Sequence, residues 1–396
     1  MSANEPHYIN TIEALASLVA QLRGAPHLAV DTEFVRERQY YPQLEIIQIA
    51  TPDVAAILDY RALGSLGPFT DILDDPAILK IFHAADQDLE IFFNLMGRIP
   101  TPLFDTQVAA AMVGQGAQIG YSRLVEGLLG VSLTKSQTLT DWTRRPLTLA
   151  QIEYALNDVR YLLPVYDRLQ EQLEAMGRTE WLDDEWAAMS NPDSYRRVHP
   201  REAYRRISGM QRLKPRELAL LRELAEWRER EAIRRDRAPS LIIRDHLLVE
   251  LVRQMPDSLS TLKEIRGLHE REVERHGKEI LAALQRGGAL PRTEWPKLPE
   301  RNDLSEQQNS LVSLMQSWLR ARADEVNIAP HYLATAADLK ELVSATPEAQ
   351  ASLGVMRGWR HRLVGMDLLA LAEGRAYLAW EPKKGHLRLV HPESIS

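Results

Sequence analysis

The chain has 396 residues, 45% hydrophobic and 26% charged, with a net charge of −7, the proportions of a folded globular protein long enough for two or three domains. It has no cysteine, which excludes disulfides, thiolate zinc sites, iron–sulfur clusters and a cysteine nucleophile, so any metal must be held by oxygen or imidazole. No stretch approaches 18 apolar residues and the start, MSANEPHYIN, lacks the basic and apolar regions of a secretory signal, so a cytoplasmic protein without a membrane span is expected.

Charge is unevenly shared along the chain. Residues 1–190 carry 13 Lys and Arg against 26 Asp and Glu, a balance of −13, whereas residues 191–396 carry 35 against 29, a balance of +6. Between Arg196 and Arg237, 14 basic residues meet 7 acidic ones. Such a run reads either as an electrostatic footprint for a polyanion or as a solvated, salt-bridged helical face.

In chain order, the first half alternates strands and helices. The apolar run His27–Val30, the strand composition of Leu44–Ala50 and a third run Ala55–Leu58 suit a β meander. Ile78–His83 reads as a further strand, followed by an apolar-periodic helix around Leu89–Leu95 that stops near Gly97 and Pro100. From Thr148, with Gln151 three residues on as a capping-box partner, Ile152, Ala155, Leu156, Val159, Leu162 and Leu163 recur at helical spacing until Pro164 breaks the pattern.

After about Pro200 the chain reads as almost wholly helical and repeats itself at an offset of 91 residues. Trp227 meets Trp318, Ala238-Pro239 meets Ala329-Pro330, Glu250-Leu251-Val252 meets Glu341-Leu342-Val343, and Arg266-Gly267 meets Arg357-Gly358. A three-residue deletion then aligns Gly277 with Gly365. This is a tandem duplication of a helical module. The expected division is an α/β domain over residues 1–190, a basic connector over 191–207, helical modules over 208–288 and 302–376 with a Pro-rich linker over 289–301, and a tail over 377–396.

Three constellations carry chemistry. In Asp31-Thr32-Glu33 a period of two sends both carboxylates to one face, where like charges repel unless a hard cation lies between them. Asp86 and Asp88 lie where a strand passes into a helix, and either would serve as a cap or as a ligand. Tyr154 and Asp158 stand one helical turn apart and reach a common point. Four carboxylates and a tyrosine match the inventory of a two-metal phosphodiester hydrolase.

This order of Asp-x-Glu, Asp, then Tyr-x-x-x-Asp resembles the DEDD superfamily of 3′→5′ exonucleases in its tyrosine subgroup. Asp31-Thr32-Glu33-Phe34, Tyr41-Pro42-x-Leu44, Gln48-Ile49, Phe104-Asp105-Thr106-Gln107 and Asp141-Trp142-x-x-Arg145-Pro146-Leu147 are similar to bacterial ribonuclease D, a family that also carries two tandem helical modules of the helicase-and-RNase-D C-terminal (HRDC) type. The resemblance implies an α/β exonuclease domain with a ribonuclease H-like mixed sheet flanked by helices, followed by two all-α HRDC bundles. It implies two divalent cations, Mg²⁺ or Mn²⁺, held by Asp31, Glu33, Asp88 and Asp158, with Tyr154 orienting the attacking water. Asp88 is chosen over Asp86 because the family's acid precedes Leu-Glu and follows the His by five residues. The implied substrate is RNA with a free 3′ end, tRNA precursors among them, acted on by a monomer.

Candidate RNA contacts are Phe34, Tyr40 and Tyr41 as stacking rings, with Gln48, His83, Arg144 and Arg145. Phe34 has an alternative place in the core, His83 as a hydrogen-bonded core residue, and the two arginines in structural pairs with carboxylates. Two rival functions stand beside exoribonuclease: a DNA-directed 3′→5′ exonuclease, and a non-catalytic RNA-binding scaffold.

Overall fold

The computed structural model describes residues 7–133, 140–297 and 304–392. Its acidic half is built on a six-stranded mixed sheet of β1 (His7–Ile9), β2 (His27–Val35), β3 (Gln43–Ala50), β4 (Ala55–Asp59), β5 (Leu79–Phe82) and β6 (Leu103–Asp105). The spatial order is β1-β4-β3-β2-β5-β6. β2, β3 and β4 form the antiparallel meander, while β1, β5 and β6 add in parallel. The strands read as continuous apolar runs because both faces are covered. Leu28, Val30, Ile47 and Ile49 pack with Leu15 and Phe92 on one face, and Ile46 and Ile57 with Trp142 and Leu156 on the other. β1 and β6 have three residues each, too few to show a period.

The helix Leu149–Arg160 starts in the expected capping box of Thr148 and Gln151. It breaks at Tyr161, and Pro164 falls in the first turn of the next helix, Leu162–Ala175, where a missing amide hydrogen costs nothing.

The helical half repeats its element order. Helices begin at 215 and 306, at 239 and 330, and at 245 and 336, each pair 91 residues apart. The long helices Pro215–Arg235 and Glu306–Val326 end in left-handed residues, Asp236 at φ 46° and Asn327 at φ 55°, residue types that tolerate that conformation. Gly277 and Gly365 recur for a packing reason: a Cβ would lie 2.6 Å from Leu259 Cδ2 in the first unit and 2.5 Å from the Val355 carbonyl in the second. Each unit has its own core.

The carboxy-terminal region is not wholly helical. Within the stretch read as a tail, β7 (Tyr377–Glu381) and β8 (His386–Val390) form an antiparallel hairpin whose Leu378, Leu387 and Leu389 pack on the second helical core. The interspersed charges of this short segment hide its alternation. Residues 1–6 of the amino-terminal reading, 298–303 at the Pro-rich linker and 393–396 lie outside the described residues.

Candidate active site

The site is built where β2 outlasts its neighbour. Pairing of β2 with β5 ends at Ala29 opposite Ile81, so Asp31 and Glu33 run on past the carboxyl end of β5, the kind of crevice in which α/β sheets place ligands. On the face that Asp31 and Glu33 share, β3 sets Gln48 opposite Asp31 and Ile46 opposite Glu33. Helix Leu149–Arg160 covers this face through Ala155 and Leu156 and thereby delivers Tyr154 and Asp158. Tyr154 is half-buried, its ring 6.2 Å from that of Trp142.

Asp88 arrives from the other side of the strand. It lies in the first turn of the helix Asp86–Met96, is buried, and accepts the hydroxyl hydrogen of Thr32. Asp86 is exposed, so the structure brings Asp88 to β2 and leaves Asp86 outside. Asp105 fixes the turn that starts this helix: its carboxylate accepts from the amides of Ala84 (3.1 Å) and Ala85 (2.7 Å), and from Gln107 and Val108 at the start of the next helix. Ala84 has a φ of 58°, a left-handed conformation unfavourable for alanine that these bonds hold in place.

Electrostatics tie the four acids together. Burial, followed by the charges of Asp88, Asp158 and Glu33, pushes Asp31 well above the usual carboxylate range. Glu33 is pushed up to about 8 by burial and by Asp158 and Asp88. Burial leads in raising Asp88 and Asp158, each to about 7. Among the described residues no three side chains already enclose a metal-sized point; charge is gathered here, without finished coordination. Tyr121 belongs to the same field. Its hydroxyl donates to the Asn157 carbonyl at 3.0 Å, and burial with the charges of Asp158 and Asp31 raises its pKa. Tyr121 escaped sequence reasoning, and Thr32 and Asp105 stood there only as motif residues without a role, because a hydroxyl or a capping carboxylate gives no signal of its task until its partner is placed.

Several candidate RNA contacts are occupied by the protein itself. His83 engages both ring nitrogens, with the Thr106 hydroxyl at 2.9 Å and the Ile119 carbonyl at 3.1 Å, and Gln48 is completely buried. Arg145 grips Asp59 with two bonds of 2.6 and 2.8 Å and donates to the carbonyls of Trp142, Arg144 and Glu45. Its guanidinium is therefore structural. Tyr40 is buried beneath Arg197, which lies 4.3 Å from its ring. Phe34 is half-buried against the core. Tyr41 is partly exposed, and Arg144 is largely exposed beside Asp141 at 3.1 Å.

A mixed sheet that gathers four neighbouring carboxylates at one strand end is the frame of a 3′–5′ exonuclease, and the family of that description matches residues 6–174. The HRDC domain matches residues 217–284. The chain is 38% identical over 387 residues to ribonuclease D of Granulibacter bethesdensis, covering 96% of this chain and 95% of that one. It is 39% identical over 376 residues to ribonuclease D of Nitrobacter hamburgensis, covering 94% and 97%. Its fold is similar to the crystal structure of Escherichia coli RNase D, described as an exoribonuclease involved in structured RNA processing, with a TM-score of 0.84, 35% identity, and coverage of 94% of this chain and 99% of that one. The chain belongs to the ribonuclease D family of 3′→5′ exoribonucleases.

Proposed function

We propose that Asp31, Glu33, Asp88 and Asp158 hold two divalent cations, Mg²⁺ or Mn²⁺, and that this centre removes nucleotides as 5′-monophosphates from the 3′ end of RNA. The observation that carries the reading is the convergence of the four carboxylates on one strand: Asp31 and Glu33 share a face of β2, Asp88 accepts from Thr32 between them, and the charges of Asp158 and Asp88 reach both Asp31 and Glu33, a repulsion that a cation would relieve. The donor set is all hard oxygen, suited to Mg²⁺ or Mn²⁺. Beside Asp31, the buried amide of Gln48 leaves both polar atoms without a protein partner, which is unused hydrogen-bonding capacity at the same spot.

Ions bound there supply a water of lowered pKa and positive charge against the phosphate oxygens. The protein's own part is to orient. Tyr154, one turn before Asp158, positions the attacking water through its hydroxyl, since a phenol of pKa near 10 is a poor base at neutral pH. Thr32 and Asp105 fix the rotamer and the helix start that present Asp88. No covalent intermediate is required.

The substrates we infer are RNAs whose 3′ end extends from a folded body, tRNA precursors among them, processed in the cytoplasm by a monomer. No helix among the described residues is long and apolar enough to cross a membrane. The second helical unit is read as another HRDC domain on the strength of its repeated element order. Digestion of 3′-labelled tRNA precursor and of DNA of matched sequence, with Mg²⁺ and with EDTA, tests the reading. RNA shortened from its 3′ end only when Mg²⁺ is present is the expected result, and faster digestion of DNA would refute it.

A further inference from the structure

The arginine run that looks like a polyanion footprint is largely neutralised in place. Arg197 sits on Glu90, Arg201 on Glu226, Arg205 on Glu202, Arg228 on Asp245, Arg230 on Glu226 and Arg234 on Glu231. Two grooves that this region borders are close to balanced, one with four arginines against three carboxylates and the other with four against four. Neither favours an anion.

A third groove, of about 480 Å³, differs. Arg212, Arg253 and Arg266 line it with His246, and Glu250 is the sole carboxylate among its described lining residues. Glu250 is engaged by the Gln254 amide at 2.6 Å, and none of the three guanidinium groups has an ion-pair or hydrogen-bond partner among the described residues. The convergence is set by the backbone. Arg212 ends the turn Met210–Arg212, Arg253 lies in the last turn of helix Asp245–Gln254, and Arg266 follows the helix Leu259–Lys263. Each is anchored by a buried neighbour: Leu213, Val252 and Ile265 all belong to the first unit's core. His246, Glu250 and Arg253 share one face of their helix by spacing.

Three unpaired guanidinium groups held together by a rigid core repel one another, and their planar forks match phosphate oxygens. We infer that this groove of the first helical unit binds the phosphodiester backbone of the RNA body, at a site separate from the carboxylate centre. The ligand's identity rests on the exoribonuclease reading. The excess charge of the carboxy-terminal half thus acts at Arg253 and Arg266, outside the dense run, together with Arg212, a member of that run without a carboxylate partner among the described residues.

The test uses full-length protein carrying Arg212→Gln, Arg253→Gln and Arg266→Gln together, with Arg230→Gln plus Arg234→Gln as the control from the paired run. All five side chains are exposed. Affinity for a folded RNA with a 3′ extension is measured in EDTA across a salt series, and turnover of a tetranucleotide is measured separately with Mg²⁺. In the triple variant the slope of log affinity against log salt should become shallower by roughly 0.7 to 0.9 per lost contact, about 2 to 3 in all. Tetranucleotide turnover should be unchanged, and the control should keep the wild-type slope. A triple variant with the wild-type slope would overturn the assignment and leave the groove to an acidic protein partner. A wild type inactive on the tetranucleotide would refute the carboxylate centre alone, because the slopes in EDTA still decide the groove.

Discussion

At Asp31, Glu33, Asp88 and Asp158 burial raises every carboxyl pKa, reinforced at Asp31 and Glu33 by the charges of their acidic neighbours, and the consequence for stability has a definite sign. The folded pKa values of Glu33, Asp88 and Asp158 lie at about 7 to 8, above the value near 4 of an unfolded carboxylate. The metal-free folded protein therefore binds more protons than the unfolded chain between about pH 4 and pH 8, and it loses stability as pH rises through that window. Melting temperature in EDTA should fall from pH 5 to pH 8, and added Mg²⁺ should raise it more at pH 8 than at pH 5. In Asp158→Asn, which removes one repelling group, the fall with pH should be smaller. An identical Mg²⁺ shift at both pH values would argue against a cation among these acids. Tyr154→Phe should lower kcat roughly 10²- to 10⁴-fold, the scale for an orienting or proton-handling group, with KM for RNA little changed. A kcat equal to wild type would assign the hydroxyl a structural role.

The loop between β2 and β3 follows Asp31 and Glu33 directly, yet the first helical unit holds it. Asp236, at the left-handed corner that ends Pro215–Arg235, accepts from the amides of Tyr40 (3.1 Å) and Tyr41 (3.2 Å) and from the Gln43 side chain (3.3 Å). The Tyr40 hydroxyl donates to Glu229. Asp236→Gly keeps the corner without strain but removes the acceptor, so amide exchange at Tyr40 and Tyr41 should accelerate, at a cost to stability of about 1–3 kcal/mol. Asp236→Asn retains one oxygen and should restore most of the protection. Unaltered exchange in the glycine variant would show that the loop is held by other means. This clamp marks the limit of the sequence. The carboxylates of β2 and the pair Tyr154 and Asp158 were legible because strand and helix periods place them locally. Asp236 was not, because its partners lie nearly 200 residues away. The fates of Arg145 and Gln48 were hidden for the same reason: nothing in the local pattern tells a guanidinium that will grip Asp59 from one that is free.

Across the whole molecule the duplicated corner is used twice. Asn327, the counterpart of Asp236, donates its amide to the Gly114 carbonyl at 3.3 Å, and a Cβ on Gly114 would lie 2.9 Å from the Asn327 carbonyl oxygen. Beside it, Trp181 and Trp359 stack 4.3 Å apart between Arg178 and Arg360, which lie 4.6 and 4.5 Å from the outer ring centres. Arg360 also bonds Asp184 at 2.8 Å. A fragment ending near residue 190 retains Asp31, Glu33, Asp88, Tyr154 and Asp158 but exposes Trp181, so it should hydrolyse short oligonucleotides with a lower melting temperature and a shallower salt slope on tRNA precursor than the full chain. Equal slopes would show that the helical half adds no phosphate contacts. The repeat was visible in the sequence because packing glycines and proline-started helices recur at fixed spacing, whereas the docking of each unit was not, since it depends on side chains from both halves. The most direct measurement is product analysis on 5′-labelled RNA with full-length wild type and Asp31→Asn in Mg²⁺. Wild type should give a ladder shortened stepwise from the 3′ end with nucleoside 5′-monophosphates released. The variant, folded but lacking a charged ligand, should be slower by roughly a thousandfold or more, the equivalent of several kcal/mol in the barrier. Hydrolysis by Asp31→Asn within threefold of wild type would contradict the assignment of this site.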